Sequence, residues 1–154
     1  RDLFLILNLI LSMLIFSCNN KKNEKNEMKN PQIKKIELLL EKQKECWNSG
    51  DIYGFMQGYW QSEKLIFTSE NHKPVYGWNN TLERYKKSYP NKESMGKLKF
   101  EWLDIQINSD SSSGEIKGYW ELIRDNDNPN GEFFIKLRKI ENQWKIVKDS
   151  TTSN

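Results

Sequence analysis

Three carboxylates fall beside apolar segments of this 154-residue chain: Asp51, Asp104 and Asp149. A carboxyl group in an apolar pocket loses hydration of its charged form, so its pKa climbs toward the range where it can give and take protons. Other routes to chemistry are few. The single histidine, His72, sits in Asn71-His72-Lys73-Pro74, which reads as a solvated turn. No spaced Cys/His cluster suits a metal, no Gly-rich loop suits a phosphate, and a nucleophilic triad would lack its base. The sequence therefore predicts no metal and no cofactor, and leaves acid–base work by a carboxylate or a tyrosine as the chemistry open to it.

The three carboxylates differ in context. Asp51 follows Gly50 and suits a helix N-cap. Asp104 shares strand phase with Trp102, close to a break in the pattern, where solvent would reach it. Asp149 alternates away from Trp144 and Ile146, which predicts a structural acceptor at the end of a strand. The aromatics are many, with six Trp, six Tyr and seven Phe. Most are expected to fill a core. Tyr59, Trp60, Trp78, Tyr85, Trp102 and Trp120 could instead line a pocket, where hydroxyl and indole N–H groups would orient a ligand in an apolar cleft. Arg138 lies on the strand face opposite Leu137 and could pair with Asp149, with an anionic ligand, or with a surface carboxylate. Cys46, beside Trp47 on a helix, reads as a packed free thiol.

The elements that must position these residues follow from periodicity. Pro31 suits a helix start. Ile33, Ile36, Leu39, Leu40, Gln43 and Trp47 then recur at steps of three and four, the stripe of an amphipathic helix. Gly50 stops it, and Ile52, Phe55, Met56 and Tyr59 continue as a short second helix. Residues 65–68 form a short strand to which Val75-Tyr76 could pair back. Trp78, Leu82, Tyr85 and Tyr89 mark a third helix, which Pro90 ends. From Lys97 the period becomes two. Leu98, Phe100 and Trp102 share one face, then Leu103, Ile105 and Ile107 share the next phase, a slip that predicts a β-bulge. Strands led by Ile116, Phe133 and Trp144 complete an antiparallel meander of four long strands. The economical packing is an α+β cone: a strongly curved antiparallel sheet covered by three N-terminal helices.

The chain before the fold reads differently. Residues 3–16 are almost continuously apolar, too short for a membrane span of roughly 20 residues but the right length for the core of a secretory signal. The run ends Leu14-Ile15-Phe16-Ser17-Cys18 and turns abruptly polar. It resembles a bacterial lipoprotein signal, which implies cleavage before Cys18, lipidation of Cys18 and a membrane partner held through that anchor. The alternatives are an ordinary signal peptide or a buried N-terminal helix. Residues 18–31, rich in Asn, Lys and Glu, form a disordered tether that cannot bury enough surface to offset its ordering entropy. The expected organisation is thus a signal peptide over 1–17, a tether over 18–31 and one domain over 32–154, lipid-anchored in the bacterial cell envelope and facing outside the cytoplasm. With 24 basic and 21 acidic residues interspersed, the net charge of +3 forms no basic stripe, so a nucleic-acid partner is not expected.

Within the domain, Trp47-Asn-x-Gly50-Asp51, Tyr59-Trp60, Leu65-x-Phe67, Gly77-Trp78, Tyr85, Tyr89-Pro90, Met95-Gly96 and Trp144-Lys-Ile-Val-x-Asp149 resemble the nuclear transport factor 2-like superfamily, in its SnoaL-like bacterial branch. The resemblance spans residues 33–152. It implies a cone with an apolar pocket between helices and sheet, and a homodimer as a possible assembly. It also implies a small hydrophobic ligand, and in some members isomerase, dehydratase or cyclase activity. In that branch a His usually follows the terminal Asp; here Ser150 stands there, sharing strand phase with Trp144 and Ile146. The missing proton carrier favours a non-catalytic module for small-ligand binding or protein interaction. The alternative is an isomerase, dehydratase or hydrolase acting on a small hydrophobic substrate by carboxylate or tyrosine acid–base chemistry.

Overall fold

The structure is a computed structural model that describes residues 30–154. The signal segment, Cys18 and nearly all of the tether lie outside the described residues. Helix α1 (Pro31–Ser49) opens on the Asn30 side chain, which accepts from Gln32 N, with Pro31 in the first turn, where its missing N–H costs nothing. It buries Ile36, Leu40, Gln43, Cys46 and Trp47.

The Trp47–Asp51 segment fastens the helical layer to the sheet, and each residue type has its reason. Trp47 Nε1 donates to Met95 O at 3.0 Å. Asn48 makes a two-way bond with Leu98: its Oδ1 accepts from Leu98 N at 2.7 Å and its Nδ2 donates to Leu98 O at 3.2 Å. Gly50 closes α1 in the left-handed region at φ 86°, which a side chain would strain. Asp51 then caps α2 (Ile52–Met56), accepting from Gly54 N at 2.7 Å. Strands β1 (Ile66–Ser69) and β2 (Val75–Tyr76) follow, then α3 (Trp78–Ser88) and a one-turn helix α4 (Lys92–Met95). The last of these has no counterpart in the apolar periodicity, because a four-residue helix closed by an Asn91–Ser94 capping box needs no stripe.

Four long strands complete the chain: β3 (Lys97–Ile107), β4 (Ser113–Ile123), β5 (Asn130–Ile140) and β6 (Gln143–Thr151). They join β1 and β2 in one six-stranded sheet of order β2-β1-β6-β5-β4-β3. All pairs are antiparallel except β1 with β6, which run parallel. The fold is an α+β cone with helices over one face of a curved sheet. The expected meander is present, but its sheet is mixed rather than purely antiparallel, because β1 lies beside β6, the last strand of the meander, and runs parallel to it.

Two bulges set which side chains point inward. The slip in β3 lies between Trp102 and Asp104, where Leu103 is the extra residue. Leu103 is consequently exposed rather than in phase with Ile105 and Ile107. Gly118, opposite Trp102, belongs to this bend: a Cβ there would stand 2.3 Å from Glu101 O and 2.6 Å from the Phe133 ring. The second slip was not legible beforehand. It falls in the β5–β6 ladder, where Lys136 pairs with Lys148 but Leu137 pairs with Ile146, leaving Val147 as the extra residue.

Candidate functional site

The Val147 bulge creates the site. A one-residue slip moves the following residues to the other face of a strand. Trp144 and Ile146 point into the cone, and after the bulge Asp149 and Thr151 do so as well, opposite Ile135 and Phe133. Strict alternation would turn Asp149 outward and Ser150 inward, and the bulge reverses both. Asp149 is buried at 4 % exposure. Ser150 instead borders the outer-face groove with Leu103 and Tyr119, bonded to Thr68 Oγ1 at 2.8 Å. The position where relatives were expected to carry a His therefore does not address the interior of this cone.

Asp149 stands on the wall of a cavity of about 290 Å³ between the helices and the sheet. The helical side brings Gln43, Trp47, Phe55, Tyr59, Arg84 and Tyr85; the sheet brings Phe67, Leu98, Phe100, Trp120, Phe133 and Ile135. Glu70, Asn71, His72 and Ser153, all exposed, mark its mouth. The Tyr59 hydroxyl donates to Asp149 Oδ2 at 2.6 Å. Tyr85 Oη lies 3.3 Å from Tyr59 Oη. A hydroxyl has one proton, and that of Tyr59 is spent on the carboxylate, so Tyr85 is the donor of the second bond. The chain runs Tyr85 to Tyr59 to Asp149.

Burial pushes the Asp149 carboxyl up to about 6, against the opposing pull of the Tyr59 hydrogen bond and of the Arg84 charge. Desolvation, with the Asp149 charge next, holds both tyrosines protonated well above their ordinary range. Asp149 Oδ1 is buried and has no hydrogen-bond partner among the described residues. A carboxyl that titrates near neutrality, with one oxygen held and one uncommitted, can accept a hydrogen bond from a ligand hydroxyl when ionised. Protonated, it can donate one to a ligand oxygen.

The remaining pocket candidates separate into two groups. Tyr59, Tyr85, Trp120 and Asp149 converge on the cavity. Trp60, Trp78, Trp102 and Arg138 do not. Trp78 is buried in the core, its indole donating to Met56 O at 2.9 Å. Trp102 packs on the core beside the β3 bulge. Trp60 and Arg138 border a groove on the outer face of the sheet, so Arg138 pairs neither with Asp149 nor with anything in the cone. Asp51 is the expected cap, and Asp104 is exposed, accepting from Gln106 Nε2. Cys46 is a buried free thiol.

Sequence reasoning missed Arg84. It lies on α3 between Glu83 and Tyr85, one of several charged residues there, and no pattern marks it. Its guanidinium carbon sits 4.3 Å above the Phe67 ring, and its Nη2 donates to Ser69 Oγ at 3.3 Å.

No protein-family model matches the chain, and no curated protein matches it. Solved structures do. An NTF2-like protein of unknown function from Shewanella oneidensis is 42% identical, at a TM-score of 0.74 over 78% of this chain and 98% of its own. The chain belongs to the NTF2-like family. A ketosteroid isomerase-like protein from Erwinia carotovora shares the NTF2-like cone at 12% identity and a TM-score of 0.64, over 80% of this chain and 97% of its own. An NTF2-like protein of unknown function from Pseudomonas putida does so at 12% and 0.61, over 79% and 85%. These two likenesses concern the fold alone.

Proposed function

We propose that this NTF2-like chain is a lipid-anchored envelope protein whose cone binds a small, largely apolar molecule carrying one hydroxyl or carbonyl group. The observation that carries the binding reading is Asp149: a buried carboxyl on an apolar cavity wall, held by Tyr59 on one oxygen and uncommitted on the other. Leaving a buried acceptor without a partner costs about 1–3 kcal/mol, which a ligand hydrogen bond recovers. Around it the wall is aromatic and aliphatic, the usual lining of a small-molecule site. The test is a tryptophan-fluorescence titration of the mature chain with small phenols and cyclic ketones, since Trp47 and Trp120 both line the cavity. Saturable quenching that Asp149→Ala weakens supports the reading; the same affinities in both proteins count against it.

The anchoring part of the proposal rests on the Cys18 pattern, Leu14-Ile15-Phe16-Ser17-Cys18 followed by a polar spacer. It holds the domain at the membrane through lipid, with the cavity working outside the cytoplasm.

A second reading is favoured by the raised Asp149 pKa. A carboxyl poised near 6 exchanges protons readily at neutral pH, so the same site would serve an isomerase or dehydratase, with Asp149 moving the proton and Tyr59 steadying its charge. Deuterium exchange into a bound ketone at the carbon next to its carbonyl, lost in Asp149→Asn, would establish this reading. Binding without exchange leaves the domain a non-catalytic binder.

A further inference from the structure

The mouth of the cavity carries a charge that the binding reading leaves unused. Arg84 lines the cavity, and its guanidinium lies over the ring of Phe67, itself a wall residue, with the Tyr85 ring centroid 5.9 Å from the guanidinium carbon. Stacking of this kind holds the planar group by its face and leaves its N–H edge free to donate. Of the five N–H groups an arginine presents, one has a protein acceptor among the described residues, Ser69 Oγ at a long 3.3 Å. Arg84 has no ion pair among them, although Arg124, elsewhere on the surface, has one with Asp127 at 2.6 Å. Besides Tyr59, Tyr85 and Tyr89, which burial keeps protonated, three charged or titratable groups share the cavity lining with Arg84. Asp149 lies deeper, with one oxygen held by Tyr59 and the other uncommitted, and the Arg84 charge acts on it without an ion-pair contact. Glu70 is exposed at the rim without an ion pair among the described residues, and His72 Nδ1 bonds Glu70 O at 2.8 Å.

We infer that Arg84 is a carboxylate anchor, and that the ligand is an amphipathic monocarboxylate: an apolar ring body with its acid group at Arg84 and a hydroxyl or carbonyl directed to Asp149. The orientation follows from the two charges. An acid group placed deep would meet the Asp149 carboxyl; at the mouth it meets a pre-oriented guanidinium edge suited to two parallel N–H···O bonds. The body is small, because 290 Å³ is at the lower limit of ligand cavities, which span about 300–1,000 Å³. This inference rests on the binding reading above and adds the ligand class to it.

The test uses the full mature chain and matched probe pairs, hydroxyphenyl-, hydroxynaphthyl- and hydroxycyclohexyl-propionates against their primary amides, which differ in charge but hardly in shape. Tryptophan fluorescence reads both. The expected result is carboxylate binding about tenfold tighter than amide binding in at least one pair. Arg84→Met keeps the apolar stem over Phe67 and should abolish that preference, bringing acid affinity down to that of the amide in the same variant; Arg84→Lys should retain part of it. Equal affinities of acid and amide in the wild type, or a preference that survives in Arg84→Met, overturn the anchor and leave the pocket reading standing. Binding of no member of any pair overturns both.

Discussion

The Tyr59 hydroxyl donates to Asp149 Oδ2 across 2.6 Å, and no other donor reaches either carboxylate oxygen among the described residues. A charge-assisted bond of that length is among the stronger ones, yet the carboxyl still sits at about 6, because burial outweighs it. The site is thus built at a cost in stability, and that cost depends on pH.

The sign can be worked out. The Asp149 pKa is raised from 3.8 to about 6 on folding, so between those values the folded chain holds more protons than the unfolded one and stability falls as pH rises. The loss is complete above about 6 and absent below about 3.8. Asp149→Asn removes the charge, so its melting temperature should exceed that of the wild type at pH 7.5. The gain is on the order of 3 kcal/mol at most, and the gap should close by pH 4. Thermal melts across that range check it; an Asn variant less stable at pH 7.5 contradicts it.

Tyr59→Phe deletes the one donor. The Asp149 pKa should then move further up, since the Tyr59 bond is the larger of the two influences that pull it down, ahead of the Arg84 charge. Stability above pH 6.5 should drop by about 1–3 kcal/mol. A carboxyl ¹³C NMR titration of Asp149 reads the shift directly, and an unchanged or lower pKa would show that Tyr59 does not hold the ionised form.

How far the sequence reveals this site depends on the element. The helical layer is legible because its signals are local: Ile36, Leu40 and Trp47 carry the stripe, Gly50 stops the first helix and Asp51 caps the second. The β3 bulge was legible because apolar residues occupy both phases around Leu103. The β6 bulge was not, because Trp144-Lys-Ile-Val-Lys-Asp shows unbroken alternation up to Ile146, and Val147 can face either way without penalty. Its place is decided by the partner strand, where Ile135 and Leu137 take Asp149 and Ile146 opposite them. Arg84 was hidden for another reason. Its role comes from Phe67 on β1, seventeen positions earlier, and no local pattern records that stacking.

Asn48→Ala tests the fastening of α1 to the sheet. It removes both bonds to Leu98, leaving the Leu98 N–H and C=O to seek water. A loss of about 2 kcal/mol in urea denaturation is expected, and Asn48→Asp, which sets a carboxylate oxygen against Leu98 O, should not restore it. A silent Ala variant would mean the clamp is incidental.

Gly118→Ala tests the bend at the first bulge. The added methyl would stand 2.3 Å from Glu101 O, a backbone atom that cannot move without moving β3. Destabilisation of about 1–3 kcal/mol is expected from the overpacking; a neutral outcome would show that the sheet relaxes freely there.

Cys18→Ser bears on the anchor. In a bacterial host the natural chain should partition with membranes and take up a labelled fatty acid, and the Ser variant should do neither. Equal membrane retention of both proteins would dismiss lipidation at Cys18.

The central claim is that the cone holds a small molecule against Asp149. Native mass spectrometry of the chain after incubation with cell extract addresses it most directly, run beside Leu98→Trp, which fills part of the cavity wall. The account predicts a retained small-molecule mass on the natural chain that is lost from a folded Leu98→Trp. An apo mass alone for both, or the same adduct on both, would contradict it.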